Sequence, residues 1–116
     1  MKSAAKLIYL TIISTLIIGC GESVKPQEDT NNILALEEIQ KEPKVIEAII
    51  TDANVLYVTV EDDGTSRDGY ASYLCEVLNA NEASTNWVKV VKVNSAKDPN
   101  ADNAYGVLLG ESNCKK

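Results

Sequence analysis

Three cysteines and the absence of histidine set limits on the chemistry open to this chain. The 116 residues contain Cys20, Cys75 and Cys114, and no histidine. Histidine is the side chain that titrates near neutral pH, and it is the commonest ligand of transition metals. Without it, a Ser/His/Asp or Cys/His catalytic arrangement cannot be built from this chain alone. The composition therefore predicts a protein that is not an enzyme and that uses no cofactor or metal.

Cys20 ends a segment with the layout of an export signal. Lys2 and Lys6 precede an apolar stretch, Leu7–Ile18, that is interrupted only by hydroxyl residues. About 12 residues cover roughly 18 Å as a helix, which is short of the roughly 30 Å hydrocarbon core of a bilayer. A processed secretory signal is therefore favoured over a permanent membrane span.

The end of this segment resembles the lipobox of bacterial lipoprotein precursors. The residues that carry the resemblance are Ile17, Ile18, Gly19 and Cys20. It implies a diacylglyceryl group on the Cys20 sulfur, cleavage just before Cys20, and a membrane as partner through that lipid. Gly21 at the next position implies the outer membrane, facing the periplasm, if the source has two membranes. An ordinary signal peptide with a chance cysteine is the alternative.

Cys75 and Cys114 remain as an even pair once Cys20 is lipidated. Exported compartments are often oxidising and small domains gain from a cross-link, so we predict a disulfide between them. Closing a loop of about 40 residues stabilises by roughly 3 to 4 kcal/mol in the chain-entropy model. The alternative is a free Cys75 that packs as a small hydrophobe and a loose Cys114. Their separation does not suit redox catalysis, which prefers a Cys-x-x-Cys pair.

The charge of the chain disfavours nucleic acid as a partner. The net charge is −6, and it becomes −8 after Gly19 because Lys2 and Lys6 belong to the signal. A phosphate backbone requires a basic patch, and the sequence shows none. The excess of acidic residues instead keeps the domain soluble and would suit a basic protein partner.

One acidic stretch resembles the start of an EF-hand calcium loop. Asp98, Asn100 and Asp102 alternate in the sequence as the first ligands of that loop do. The sixth position, which requires glycine for a sharp turn, is Asn103, and the twelfth, which requires a bidentate glutamate, is Leu109. We therefore predict an ordinary loop here and no calcium site.

The chain divides into three parts. Residues 1–19 form the signal peptide, residues 20–43 form the lipidated N-terminus and a flexible tether, and residues 44–116 form a small domain. The tether is polar and acidic, and it has prolines near both ends. Ile33 and Leu36 fall at helical spacing within Asn32–Lys41, which is compatible with a short helix or with coil.

The domain pattern predicts an α+β fold. Runs rich in β-branched residues indicate strands, and apolar residues at Ala71, Leu74, Cys75 and Leu78 indicate one face of a helix. Lysines that interrupt the third strand indicate a bulge or an edge strand. The predicted elements are strands over Lys44–Ile50, Val55–Val60 and Trp87–Val93, a helix over Tyr70–Ala80, and a further short strand over Tyr105–Leu109. The arrangement is a β-β-α-β(-β) sheet with one covering helix.

These features predict a membrane-anchored binding module of the cell envelope that meets a protein or peptide through its sheet edge or loops. The alternative is a lipoprotein inhibitor, or an exclusion or immunity factor, that acts on a basic envelope-targeting enzyme or a phage. The aromatic residues either form a shared recognition patch or complete a core that has no phenylalanine. They are Tyr57, Tyr70, Tyr73, Tyr105 and Trp87.

Overall fold

The computed structural model describes residues 24–101 and 103–115, so the predicted signal peptide and Cys20 lie outside the described residues. The described chain forms two helices and four strands. They are α1 (Thr30–Gln40), β1 (Glu47–Ile50), β2 (Leu56–Val60), α2 (Asp68–Ala80), β3 (Trp87–Lys92) and β4 (Leu108–Asn113). The predicted α+β class is confirmed, with a second helix beside the single one that was predicted.

The four strands form one mixed sheet in the order β1-β2-β3-β4. β1 and β2 pair antiparallel around a tight turn in which Asn54 has a φ of 64°. β2 and β3 run parallel and are connected through α2, and β4 returns antiparallel to β3. The register shifts between Val90 and Val91, which confirms the predicted bulge, whereas the edge position proposed for this strand is wrong because β3 is central.

The core lies between the two helices and one face of the sheet. Alternate residues of β2 point into it, because successive side chains of a strand face opposite sides. The face predicted for α2 is the buried one. The fully buried side chains of the core include Ile39, Leu56, Val58, Val60, Leu74, Leu78, Val88 and Val90.

Helix α1 belongs to the domain, so the tether predicted over residues 20–43 is too long. Asp29 caps the helix by accepting hydrogen bonds from the N–H groups of Asn31 and Asn32. Asn32, Ala35 and Ile39 are buried, and their spacing of three and four residues places them on one face. Burying the Ile39 side chain contributes about 1.5 to 3 kcal/mol towards holding the helix against the sheet.

Strand β4 begins three residues later than the predicted strand over Tyr105–Leu109 and continues to Asn113. The start of α2 lies directly on it at Gly110. A Cβ atom at Gly110 would lie 2.2 Å from the carbonyl carbon of Arg67 and 2.4 Å from the N atom of Asp68. Only glycine permits this approach, which fixes where α2 begins over the sheet.

Candidate functional site

The structure contains the predicted disulfide. Cys75 on α2 and Cys114 just after β4 are joined, with an S–S distance of 2.04 Å. Both residues are buried and belong to the core. The bond therefore ties the end of the chain to the helix that covers the sheet.

The structure separates the aromatic residues into two groups rather than one patch. Tyr57 and Tyr105 stack with their ring centroids 4.1 Å apart on the sheet face opposite the helices. Tyr70 and Tyr73 lie on α2, with their centroids 5.9 Å apart. None of the described aromatic side chains is fully buried, and Tyr70 is the one that packs against the core, so the alternative that they complete the core holds only for Tyr70.

The sheet face opposite the helices carries a row of apolar, aromatic and charged side chains. The strand registers align Ile49, Tyr57, Lys89 and Glu111 across the four strands. The Lys89 ammonium lies 6.0 Å from the centroid of the Tyr57 ring, and the indole N–H of Trp87 donates to Glu111 at 3.0 Å. The polar groups on this face are thus largely paired with one another.

The outer edge of β1 is a different kind of surface, because it presents backbone groups. The N–H of Thr51 donates to the carbonyl of Val55, which makes these two residues a hydrogen-bonded pair. Hydrogen-bonded and non-bonded pairs alternate along an antiparallel ladder, so Ala48 and Ile50 turn their N–H and C=O groups away from β2. These four groups face the open edge of the sheet.

Two glutamine side chains occupy the outward carbonyls of β1. The Gln40 amide donates to the Ala48 carbonyl at 3.2 Å. The Gln27 amide donates to the Ile50 carbonyl at 3.1 Å and to the Asp52 carboxylate at 2.8 Å. The two amides thus provide hydrogen bonds to the outward carbonyls of β1 in the absence of a neighbouring strand. Covering the backbone in this way is one means by which proteins protect exposed strands.

A groove of about 250 Å³ runs between α1 and this edge. Its apolar lining comes from Pro26, Ile33, Leu36 and Ile49, and the two glutamines lie in its walls. Ile33 is 39% exposed although it belongs to a helix that packs on the core. The helical stripe at Ile33 and Leu36 that the sequence shows therefore lines the groove, and the adjacent stripe of Asn32, Ala35 and Ile39 faces the core. We call the groove and the outward groups of β1 the edge groove.

The start of α2 covers part of the other edge of the sheet. The N–H of Arg67, just before α2, donates to the carbonyl of Leu109 at 3.0 Å, and the N–H of Glu111 donates to the side-chain carboxylate of Asp68 at 3.0 Å. Gly110 permits this contact by letting the helix approach. At β1, by contrast, the two outward carbonyls accept from two glutamine side chains.

A buried polar network fixes α1 beside the edge groove. The Asn32 carbonyl oxygen accepts from the N–H groups of Ser84 and Thr85, at 2.9 and 3.2 Å. Its amide nitrogen donates to the Pro26 carbonyl and to the Ser84 hydroxyl, both at 3.0 Å. Asn54 joins the network through the Thr85 hydroxyl. Asn32 thereby ties α1 to two separate connections of the sheet.

Replacing Asn32 with alanine is expected to lower the free energy of unfolding by about 2 kcal/mol, because the half-buried N–H of Ser84 and the buried N–H of Thr85 lose their acceptor. Urea denaturation followed by Trp87 fluorescence measures the change. Asn31→Ala is the matched control, since exposed Asn31 makes one side-chain bond, to the Glu82 carbonyl. A change below about 0.5 kcal/mol is expected for that control. Equal effects from the two variants would contradict the role of the network.

The second aromatic group is coupled to a carboxylate. The Tyr73 hydroxyl donates to Glu42 at 3.1 Å, and this hydrogen bond together with the negative charge of Glu42 raises the pKa of Tyr73. Burial raises the pKa of Tyr70, whose ring also lies 5.5 Å from the Lys44 ammonium. A tyrosine with a raised pKa contributes stability that is present below pH 10 and is lost as the pH rises through the folded-state pKa.

Replacing Glu42 with glutamine is expected to lower the pKa of Tyr73, because the charge that disfavours the phenolate is removed. Titration of the tyrosine 13Cζ resonances by NMR measures the pKa directly. Glu28→Gln serves as the control, since Glu28 does not contribute to the shift at Tyr73. An unchanged Tyr73 titration in Glu42→Gln would show that the hydrogen bond does not persist in solution.

The acidic loops are occupied by local hydrogen bonds. Asp98 accepts from the N–H of Asn100, and Asp63 accepts from the N–H and hydroxyl of Thr65. The Thr65 hydroxyl bond is the main cause that lowers the pKa of Asp63, and Arg67 contributes through its charge. Within residues 24–101 and 103–115, no three carboxylate or cysteine residues cluster in a way that could hold a metal ion. Asp102 lies outside the described residues.

No protein-family model, curated protein or solved structure matches the chain. Among the helices of the described chain, none combines the length and the apolar character needed to cross a bilayer. The edge groove is the candidate site, because it combines outward backbone groups of a strand with an apolar lining.

Proposed function

We propose that this protein is a lipid-anchored binding module of the cell envelope, held on the membrane through Cys20, that binds an extended segment of a partner protein along β1. The lipobox resemblance of residues 17–20 supports the anchor and the extracytoplasmic location. The role is binding rather than catalysis, and the lack of histidine in the sequence supports this.

The single observation that carries the proposal is the contrast between the two edges of the sheet. At the β4 edge the backbone N–H of Arg67 donates to Leu109 and the Asp68 carboxylate accepts from Glu111. At the β1 edge, by contrast, the side-chain amides of Gln27 and Gln40 donate to the outward carbonyls. A partner strand can take the place of those amides by donating its own N–H groups to Ala48 and Ile50. Its carbonyls can accept from the N–H groups of the same two residues, as in strand addition.

The outward backbone groups of β1 favour a peptide over a small molecule, because only a peptide offers N–H and C=O groups at the spacing of a strand. Alternate side chains of an added strand point to one face, so one apolar side chain of the partner would lie between Ile33 and Leu36. The backbone then supplies affinity, and this side chain supplies specificity.

Site-specific photocrosslinking in intact cells tests the proposal. A photoreactive phenylalanine analogue at Leu36, inside the groove, is expected to give an adduct whose partner peptide is read by mass spectrometry. The same analogue at exposed Lys97, in the connection between β3 and β4, is the positional control. Adduct formation that is equal at the two positions would contradict binding at the groove.

Two further variants test the backbone geometry. Ala48→Pro removes an N–H that points away from β2, so it is expected to abolish the Leu36 adduct while the β1–β2 ladder persists. Gln40→Ala exposes the Ala48 carbonyl and is expected to raise the adduct yield. A cooperative urea transition, followed by Trp87 fluorescence, reports that each variant folds. If neither Ala48→Pro nor Gln40→Ala changed the yield of the Leu36 adduct, strand addition would be excluded.

A further inference from the structure

The domain begins close to Cys20 along the chain. The Lys25 carbonyl already accepts from the N–H groups of Glu28 and Asp29, at 2.9 and 3.1 Å. Gln27 then makes the first side-chain contacts with the sheet, at Ile50 and Asp52. The segment that enters the domain therefore lies at one end of the edge groove.

The number of residues before this contact limits how far the groove can lie from an anchor at Cys20. Seven peptide units separate Cys20 from Gln27. A fully extended chain spans at most about 3.3 to 3.6 Å for each residue, so seven units reach no more than about 25 Å. A tether over the whole of 20–43 would instead reach about 80 Å by the same measure. The packing of α1 thus brings the domain close to the membrane.

From this reach we infer that the occupant of the edge groove is an extended segment of a second protein held in the same membrane, close to where that protein enters the lipid. The inference rests on the proposed function. Backbone groups at Ala48 and Ile50 require a peptide rather than a lipid headgroup. The charge of −8 after Gly19 also disfavours contact with anionic lipid. The short connection holds the groove at the height where such segments emerge.

Confinement near the surface raises the local concentration of each protein for the other. The gain is reduced when the connection is lengthened, because the root-mean-square reach of a flexible linker grows with about the square root of its length, so the groove moves through a thicker layer above the membrane. Inserting 20 Gly/Ser residues between Ser23 and Val24 extends the connection from 7 to about 27 residues. The Leu36 adduct yield is then expected to fall roughly 2-fold. The same 20 residues added after Lys116 are the control and are expected to leave the yield unchanged.

The identity of the crosslinked peptide supplies the second readout. The inference predicts a peptide within about 7 residues of a transmembrane segment or a lipidated cysteine of another protein, the reach of the connection itself. A peptide from a soluble protein, from a second copy of this chain, or a yield insensitive to the Ser23/Val24 insertion would overturn the inference while leaving strand binding intact. Absence of any groove-specific adduct at Leu36 would overturn the proposed function as well.

Discussion

Replacing Gly110 with alanine is expected to lower the free energy of unfolding by about 3 kcal/mol or more. The added Cβ would meet backbone atoms of Arg67 and Asp68 at 2.2 to 2.7 Å. These are backbone atoms, so a change of side-chain rotamer cannot relieve the clash. The start of α2 must therefore move away from β4. That movement also breaks the hydrogen bonds from Arg67 to Leu109 and from Glu111 to Asp68. Urea denaturation followed by Trp87 fluorescence measures the loss as a lower midpoint.

Gly69→Ala is the matched control for this prediction. Gly69 lies in the first turn of α2, and nothing lies within 4 Å of a Cβ atom built there. Alanine is the better helix former, so the substitution is expected to stabilise the domain by about 0.5 kcal/mol. If Gly110→Ala cost less than about 1 kcal/mol, the close approach of α2 to β4 would not hold in solution.

Removing the disulfide by the double substitution of Cys75 and Cys114 with alanine is expected to cost about 4 kcal/mol. The two residues are 39 positions apart, and the chain-entropy model gives this value for the loop that the bond closes. A domain of this size has only a few kcal/mol of stability, because it buries a smaller fraction of its surface on folding than a large domain does. The double variant is therefore expected to be largely unfolded at 37 °C.

Chemical reduction of the unsubstituted protein provides an independent measurement of the same quantity. Reduction is expected to lower the urea midpoint to a similar degree and to raise the intact mass by 2 Da, since two thiols regain two hydrogens. A mass that does not change on reduction would show that the bond is absent. A midpoint that does not change would show that the bond exists without stabilising the fold.

Elements whose burial follows a simple period could be predicted from the sequence. The alternation in β2 and the helical spacing of Ala71, Leu74 and Leu78 both predict the observed buried faces. The even number of cysteines after Cys20 predicts the disulfide. In each case the local pattern and the tertiary environment favour the same structure.

Elements held by polar contacts were not predictable in the same way. The buried face of α1 includes Asn32, whose partners Ser84 and Thr85 lie more than 50 positions away, so the helix looked like part of a tether. The end of β4 contains Gly110, Ser112 and Asn113, which are poor strand formers. The start of α2 and the pairing with β3 hold these residues in the strand.

The edge groove depends on strand order, which the alternation of side chains does not reveal. Nothing local marks Ala48 and Ile50 as residues that face an open edge. Gln27 and Gln40 are 13 positions apart and look like ordinary surface residues. Only the register of β1 against β2 shows that these amides meet the outward carbonyls.

The proposed role of this domain at a membrane surface depends most directly on the chemical state of Cys20. Mass spectrometry of the N-terminal peptide, from protein purified from the membrane fraction, measures that state. We predict a mature chain that begins at Cys20 with a diacylglyceryl group on its sulfur, and release of Cys20→Ala from the membrane fraction. A mature chain that carries an unmodified Cys20, or that begins at another residue, would contradict the account.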